Sequence, residues 1–370
     1  MKIAVLAPAN NVHTKKFLDY YNSIGFDVIN ISFDSHKDEE DRTHWKNVKT
    51  YYLEVGGNKL TYFLTVPALK KILKEERPDI LHAHYVSSYG VIGAMANYHP
   101  YVISVWGMDI YDFPKEGTLN TFMVKYALKK ADMICSTSEV MKVETAKYTD
   151  KEIEVTPFGV NLDVFRPYEE RQHSKDKINF GIVKTMAEKY GIAYLLKGYA
   201  IFKEKVDEQL FNKTHLTIVG GGPMLDDYKR LANELQIAEH TTFTGRISHH
   251  EVPDKINEFD VFFVPSTLDS ESFGVAAVEA QACEVPVVVA NVGGLPEVVI
   301  DNETGFVIET KNAEAIAEKM LYFTENPEKG IEMGRRGRPH VEKLYRWEEN
   351  AAYMVTLYEQ KLNRKKASYS

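Results

Sequence analysis

The sequence has little cysteine, no long apolar run and no excess of positive charge. Its 370 residues include two cysteines, Cys135 and Cys283, which lie far apart in apolar segments. Without C-x-x-C or paired-histidine spacing they make no zinc site, and free buried thiols in a reducing compartment are favoured over a disulfide. The formal net charge of −8 argues against nonspecific nucleic-acid binding, which requires a strongly basic face.

Long apolar segments are also missing, since no window approaches the roughly 18 uninterrupted apolar residues of a spanning helix. The N-terminal run "KIAVLAP" is too short for a signal peptide, and polar Asn10 and Asn11 soon follow it. We therefore expect a cytoplasmic protein. The last helical stretch is amphipathic and ends in basic residues, from Arg364 to Lys366. These suit a helix C-terminus, but they leave peripheral contact with the inner face of a membrane open.

What the sequence does contain is an alternation of short β-branched runs with helical patterns. The predicted strands are "KIAVLAP", "FDVINIS", "DILHAH", "YVISVWG" and "ADMICSTS" in the first half, and "KINFGIV", "HLTIVG", "TTFTG", "DVFFVPS" and "VPVVVA" in the second. After the first strand, "TKKFLDYYNSIG" predicts a helix that Thr14 caps and Gly25 ends. This alternation predicts parallel sheets covered by helices on both faces.

The alternation breaks at "PFGVNLDVFRPYEERQHSKDK", which holds two prolines and then becomes polar. We place a domain boundary there, and the chain length also favours two domains. The predicted parts are an N-terminal domain of residues 1–165, a C-terminal domain of residues 166–345 and a final helix of residues 346–370. In doubly wound α/β domains ligands bind outside the carboxyl ends of the strands, so the loops after the strands are expected to form the site.

A glycine turn, "IVGGGPMLDDY", follows one of these strands. The dinucleotide fingerprint G-x-G-x-x-G would need a third glycine where Leu225 stands, which argues against an NAD-linked dehydrogenase. Two interpretations stay open. The segment is a tight turn with Pro223 at a first helical position, or its backbone around Gly221 lets a ligand approach closely.

Two glutamates, Glu271 and Glu279, flank a Phe-Gly pair in "DSESFGVAAVEAQACEVPVVVA". A helix is expected to begin near Gly274 or Val275, where the amides of Phe273, Gly274 and Val275 would form an anion site. The spacing would place the carboxylates on opposite sides of the anion, where each accepts hydrogen bonds from hydroxyls. The alternative is that a glutamate is simply favourable in a first helical turn.

Two lysines, Lys184 and Lys189, follow another strand in "GIVKTMAEKYG". A pair of cations in this position could hold a diphosphate and neutralise charge as a phosphate leaves. Isolated lysines are more often solvated surface groups, so the expectation depends on their position at a strand end.

The motifs together resemble the retaining GT-B glycosyltransferases, in particular glycosyltransferase family 4. "ESFGVAAVE" matches the family's E-x7-E motif, and "PFGVNLDVFRP" is similar to its interdomain segment. "IVGGGP", "FTGRIS" and "GGLPEVVIDNETGFV" resemble further family motifs in the family's order, so the likeness covers most of the chain from Pro157 to about Val307. The resemblance implies two Rossmann-like domains facing across a cleft, with the C-terminal helix crossing back to the N-terminal domain.

The resemblance also implies roles for individual residues. The C-terminal domain would bind a nucleoside-diphosphate sugar, with Glu279 on the ribose, Glu271 on the sugar and Lys189 on the phosphate. Lys184 stands where the family usually has arginine, which keeps the charge but loses the bidentate fork. Other expected donor contacts come from Gly221, from Arg246 near the base, and from Ser272, Phe273, Gly274 and Val275 beside sugar and phosphate.

The N-terminal domain, which the family uses for the acceptor, matches less tightly. In "SVWGMD", Trp106 stands where many members carry an active-site histidine. His84 is the substitute candidate, with a packed structural histidine as the alternative. Asp109 fits the family's acidic position, but it is equally well explained as a turn residue. Asn11, His13 and Trp106 are expected to line the acceptor site, with Lys15 beside them.

The implied reaction is a retaining transfer of sugar to an acceptor hydroxyl, with UDP-sugars expected before GDP-sugars as donors. A carbohydrate or lipid-linked acceptor is expected, in glycan, capsule or cell-envelope polysaccharide biosynthesis. No metal or cofactor is expected, since the lysines and a helix N-terminus supply positive potential. The alternatives are a catalytically silent nucleotide-sugar-binding subunit, or a nucleotide-sugar epimerase or hydrolase on the same fold.

Overall fold

The computed structural model describes residues 1–38, 45–55, 59–168 and 177–367. The chain divides into two compact units, the first formed by Met1–Pro157 with the residues from Glu348 onward, and the second by Phe158–Trp347. The division at Pro157 falls at the start of the segment where the alternating sequence pattern breaks. Each unit contains one parallel sheet and its own hydrophobic core.

The first unit contains a seven-stranded parallel sheet with the order β3-β2-β1-β4-β5-β6-β7. Its strands are β1 Lys2–Leu6, β2 Asp27–Phe33, β3 Val48–Leu53, β4 Ile80–His84, β5 Tyr101–Val105, β6 Met133–Ser136 and β7 Ile153–Val155. Its first helices are α1 Val12–Ser23, α2 Val66–Glu76, α3 Ser88–Ala96, α4 Met108–Tyr111, α5 Thr118–Lys130 and α6 Glu139–Ala146. All residues of β4 and β5 are buried, as expected for strands covered by helices on both faces.

The cap of α1 differs from the sequence-based prediction. The side chain of Asn11 accepts hydrogen bonds from the backbone amides of His13 and Thr14, at 2.9 and 3.2 Å, so the helix begins at Val12. The prediction that Thr14 caps this helix is therefore wrong. Asparagine is at least as good a cap as threonine and stands three residues earlier. Thr14 instead lies inside the helix, where it is fully buried.

The second unit contains a six-stranded parallel sheet with the order β10-β9-β8-β11-β12-β13. Its strands are β8 Ile178–Val183, β9 Thr214–Val219, β10 Thr241–Gly245, β11 Val261–Val264, β12 Val287–Ala290 and β13 Gly305–Ile308. Its helices are α7 Ile192–Lys205, α8 Glu208–Phe211, α9 Leu225–Glu234, α10 Val252–Asn257, α11 Val275–Ala282, α12 Ala313–Glu325 and α13 Pro327–Leu344. The strand order reverses between β8 and β11, so the crevice in which such sheets bind ligands lies at their carboxyl ends.

The last helix, α14 Trp347–Ala367, returns the chain to the first unit. Its buried Tyr358 hydroxyl hydrogen-bonds with the hydroxyl of Tyr21 at 2.8 Å and with Nδ1 of His82 at 2.6 Å. The other ring nitrogen of His82 lies 2.8 Å from Oγ of Ser104. These buried polar groups satisfy one another, which fixes the helix against α1 and β4. Over the described ranges, every helix is too short or too polar to cross a membrane.

Candidate functional site

An ion pair joins the loops that follow β8 and β11 in the second unit. Lys184 comes directly after β8, and its Nζ lies 2.8 Å from Oε1 of Glu271. The other carboxylate oxygen of Glu271 accepts a hydrogen bond from Oγ of Ser266 at 3.3 Å. The two side chains are only 16% and 11% exposed. An ion pair so far removed from water requires both charges, because either one alone would be costly to bury.

The surroundings of Lys184 favour its charged form. Burial by itself would lower the pKa of this ammonium group. The pKa is nevertheless raised above its ordinary value, because Glu271, Tyr190 and Glu279 all favour the positive charge. Lys184 therefore remains a cation at neutral pH, and its predicted contact with phosphate stays a prediction.

The loop that carries Glu271 rests on two glycines that follow β12. An added Cβ at Gly293 would overlap the carbonyl oxygen of Glu271, and one at Gly294 would overlap that of Ser272. The amide of Gly294 donates to the carbonyl of Glu271 at 3.0 Å. The Gly-Gly pair of "GGLPEVV" is thus needed so that the loop backbone can lie directly against it. In the sequence this pair was noticed only as part of a family motif.

Helix α11 begins directly after this loop. Its N-cap residue is Gly274, which has no side chain with which to satisfy the first amides. Ser272, Phe273 and Glu279 are buried, and the Phe273 ring packs edge-on against Tyr345 at 5.3 Å between centroids. The predicted donor-binding residues from Ser272 to Val275, and Glu279, thus lie on one loop and on the helix that follows it.

Lys189 lies on the turn that connects β8 with α7. Its carbonyl oxygen accepts hydrogen bonds from the backbone amide and the hydroxyl of Thr267, at 2.8 and 3.1 Å. Thr267 belongs to the loop after β11, four residues before Glu271. The backbone of Lys189 is therefore fixed to the same loop that carries Glu271, although the two residues are distant in sequence.

The glycine turn after β9 lies beside the same segment. The amide of Met186 donates to the carbonyl of Gly221 at 3.0 Å, and a Cβ on Gly221 would be 3.4 Å from Cβ of Arg246. The structure therefore brings Gly221 and Arg246 together. Helix α9 begins at Leu225, so the expectation that Pro223 occupies a first helical position is wrong. A ligand close to Gly221 stays a prediction.

The acceptor residues predicted in the first unit gather where β1, β4 and β5 end. The ring of His84 lies 4.2 Å from that of Trp106, and Trp106 is 6.0 Å from His13. Asn11 donates from Nδ2 to the hydroxyl of Tyr85 at 3.1 Å. A groove of about 670 Å³ opens here. It is lined by Pro8, Asn10, Asn11, Val12, His13, His36, Tyr85, Ser88 and Tyr89.

His84, the last residue of β4, is fully buried and does not line this groove. Burial, with smaller effects from His82 and His13, holds the pKa of His84 well below its ordinary value, so the ring is neutral. Its Nδ1 lies 3.4 Å from Oγ1 of Thr14, while its Nε2 has no hydrogen-bond partner within the described part of the chain. The His84 ring packs against the rings of Phe17 and Trp106. Its predicted catalytic role stays a prediction.

Asp109 is buried and accepts hydrogen bonds from the backbone next to Tyr85, which lines the groove, and at Trp106, which does not. Its Oδ2 accepts from the amide of Val86 at 2.7 Å, and its Oδ1 accepts from the amides of Trp106 and Gly107 at 3.1 and 2.8 Å. Burial raises the pKa of this carboxyl group, and the backbone amides partly offset that rise. The carboxylate thus supports the backbone beside Tyr85 and Trp106, while its predicted catalytic role stays a prediction.

We expect Asp109→Asn to lower the free energy of unfolding of the first unit by about 1–3 kcal/mol, because an amide cannot accept hydrogen bonds on both of its heavy atoms. The measurement is urea unfolding followed by tryptophan fluorescence. Asp27→Asn is a matched control, since Asp27 is exposed at the start of β2. Equal stability of the two variants would contradict the supporting role.

Two family models match the chain. The model described as "Glycosyl transferases group 1" matches residues 166–340, and "Glycosyl transferase 4-like" matches residues 2–138.

Over the described residues, no group of three or more His, Cys, Asp or Glu side chains is arranged to hold a metal ion.

Individual proteins with a similar sequence or a similar fold are also glycosyltransferases by name or were solved in complex with UDP. An uncharacterised glycosyltransferase of Methanocaldococcus jannaschii is 26% identical over 359 residues, which cover 94% of this chain and 93% of that relative. The GDP-mannose-dependent alpha-(1-6)-phosphatidylinositol monomannoside mannosyltransferase of Mycobacterium tuberculosis is 30% identical over 215 residues, or 55% of this chain and 54% of that relative. Among solved structures, HepE of Anabaena in complex with UDP matches with a TM-score of 0.80 at 16% identity, over 97% of this chain and 100% of that chain.

Proposed function

The chain belongs to the GT-B glycosyltransferases of family 4, and from this premise we propose that it transfers a sugar from a nucleoside diphosphate to an acceptor hydroxyl with retention of configuration. The observation that carries the proposal is the Lys184–Glu271 pair at the carboxyl ends of β8 and β11, next to the N-terminus of α11. A cation, a carboxylate that can accept hydrogen bonds from hydroxyls and the amides of a helix N-terminus suit a sugar diphosphate.

In the proposed reaction, the bond from the anomeric carbon to the diphosphate breaks while the bond to the acceptor oxygen forms on the same face. The acceptor proton passes to the leaving phosphate. Lys184, Lys189 and the amides at the start of α11 would stabilise the negative charge that develops on the diphosphate. Glu271 and Glu279 would accept hydrogen bonds from the sugar and ribose hydroxyls. On this proposal no metal ion or cofactor is required.

The donor is proposed to be a UDP-sugar first and a GDP-sugar second. The structurally similar HepE was solved in complex with UDP, which supports the first choice. The Mycobacterium tuberculosis relative uses GDP-mannose, which supports the second. Both are nucleoside diphosphates and would place the same diphosphate between the lysines and α11.

The acceptor is proposed to be a carbohydrate or a lipid-linked carbohydrate that occupies the groove of the first unit. Amide, imidazole, hydroxyl and aromatic groups line this groove, and such groups suit a polyhydroxylated ligand. We place the enzyme in glycan, capsule or cell-envelope polysaccharide biosynthesis in the cytoplasm, with peripheral membrane contact where the acceptor is lipid-linked.

A panel of UDP-, GDP- and ADP-sugars tests the donor by thermal shift. A true donor at 100 times its Kd should raise the melting temperature by about 5–10 °C, since it binds only the native state. UDP-sugars are expected to give the largest shift. The absence of a shift with every nucleotide sugar would contradict the proposed function, and a product of inverted anomeric configuration by NMR would contradict retention.

A catalytically silent subunit is the second candidate, and one observation favours it. By the family resemblance, Trp106 replaces an active-site histidine of many members. Its ring packs against that of His84, which is buried and neutral. Tight donor binding without any sugar transfer or donor hydrolysis would support this candidate over the enzyme.

A further inference from the structure

The aromatic ring of Tyr190 contacts both lysines that are assigned to the diphosphate. Tyr190 is the last residue of a short 3-10 helix, Glu188–Tyr190, on the turn after β8, and its side chain is half-buried. The Nζ atom of Lys184 lies 4.6 Å from the ring centroid, and that of Lys189 lies 4.9 Å from it. Both distances are within the range of about 6 Å over which an aromatic face attracts a cation.

The backbone around Tyr190 is fixed in place. On one side, the carbonyl of Lys189 is bonded to Thr267. On the other side, Gly191 adopts φ +69°, and a Cβ added to it would overlap the carbonyl oxygen of Pro265. Because Pro265, Thr267 and Glu271 belong to one loop, the ring is held at a defined place beside the Lys184–Glu271 pair.

An aromatic ring and a carboxylate both attract an ammonium group, but only the carboxylate neutralises its charge. Two neighbouring ammonium groups repel each other, and their flexible stems allow both to move out into water. Glu271 retains Lys184, but it also neutralises that charge. The negative face of an aromatic ring attracts ammonium groups without cancelling their charge, so the N–H donors stay available for phosphate oxygens.

We propose that Tyr190 is a positioning residue, whose ring holds Lys184 and Lys189 ready to bind a diphosphate. The inference rests on the proposed function, since that function assigns the two lysines to the donor. It adds a residue that was not among those predicted from the sequence. The ligand chemistry that it concerns is the diphosphate alone, independent of base and sugar.

The test compares Tyr190→Leu and Tyr190→Phe in the full chain by calorimetric titration with inorganic pyrophosphate and with UDP. Leucine removes the aromatic face and is expected to weaken pyrophosphate binding about tenfold. Phenylalanine keeps the face and is expected to stay within about twofold of the unmodified chain. The donor KM should follow the same order, while the acceptor KM should not change.

Tyr194→Leu provides a matched control on α7. Tyr194 is also half-buried, and Nζ of Lys197 lies 5.8 Å from its ring centroid, so the variant loses a similar contact outside the site. Its pyrophosphate affinity is expected to be unchanged. A double-mutant cycle gives a further readout, because Tyr190→Leu should cost much less affinity in a Lys189→Met background, whereas a general structural defect would be additive.

Three results would overturn the inference: equal pyrophosphate affinity in Tyr190→Leu and the unmodified chain, a Tyr190→Phe variant as weak as Tyr190→Leu, or no pyrophosphate binding by the unmodified chain. A further result would distinguish failure of the proposed function from failure of the positioning role of Tyr190. If pyrophosphate binds with the expected ranking of variants but no nucleoside-diphosphate sugar binds, the proposed function fails and the positioning role of Tyr190 stands.

Discussion

On the proposed function, Lys189→Met is expected to lower kcat by about 100-fold or more, because it removes a cation that would stabilise the charge on the leaving diphosphate. Methionine keeps the unbranched apolar stem, and the turn itself is fixed through the carbonyl of Lys189, which the substitution retains. The fold should therefore be unchanged. Steady-state kinetics with saturating donor and acceptor measure the effect directly.

The kinetic pattern separates this role from simple binding. Loss of an interaction that forms only in the transition state lowers kcat and kcat/KM together, whereas loss of uniform binding raises KM alone. Lys197→Met is the matched control, since Lys197 is exposed on α7, and it should keep nearly full activity. Near-normal turnover in Lys189→Met would show that the leaving-group role is wrong.

On the proposed function, Glu279→Ala is expected to weaken the binding of nucleoside diphosphates and their sugars roughly 10- to 100-fold, because it removes the carboxylate proposed to accept hydrogen bonds from two ribose hydroxyls. Glu279 is only 7% exposed, so its carboxylate is poorly solvated without a ligand. Calorimetric titration with UDP and GDP gives the affinities. Inorganic pyrophosphate, which has no ribose, should bind the variant nearly as well as the unmodified chain.

This difference between ligands makes the prediction specific. A general disturbance of α11 would weaken pyrophosphate as much as UDP. Glu318→Ala, on an exposed position of α12, should change neither affinity. Unchanged UDP binding in Glu279→Ala would exclude the ribose contact and leave Glu279 as a residue favourable only for the helix.

The sequence predicted the interior strands of both sheets and one edge strand, β10, and it missed the other three edge strands. Runs such as β11 and β12 are buried throughout and consist only of apolar residues. The missed strands, β3, β7 and β13, all lie at sheet edges. In β3 most side chains are not buried. The few buried side chains of β3 leave only a weak apolar pattern in its sequence.

In the candidate donor site, the sequence predicted features that depend on neighbouring residues but not contacts between residues far apart in the chain. The sequence located the start of α11 and the glutamates around it, because helix N-termini and their spacing are local features. It also singled out Lys184 and Lys189 as the residues after a strand. It did not show that Lys184 would pair with Glu271, 87 residues away, or that Tyr190 would contact both lysines.

By itself the sequence determined the class of fold, the family and the order of the motifs, since burial patterns, turn residues and motif spacing all act over short stretches of chain. Only the tertiary structure decided that Asp109 supports two turns and that Gly293 and Gly294 underlie the Glu271 loop. The physical reason is strand order. Because β8 lies next to β11, their carboxyl ends bring together side chains whose separation along the chain carries no information about their contact.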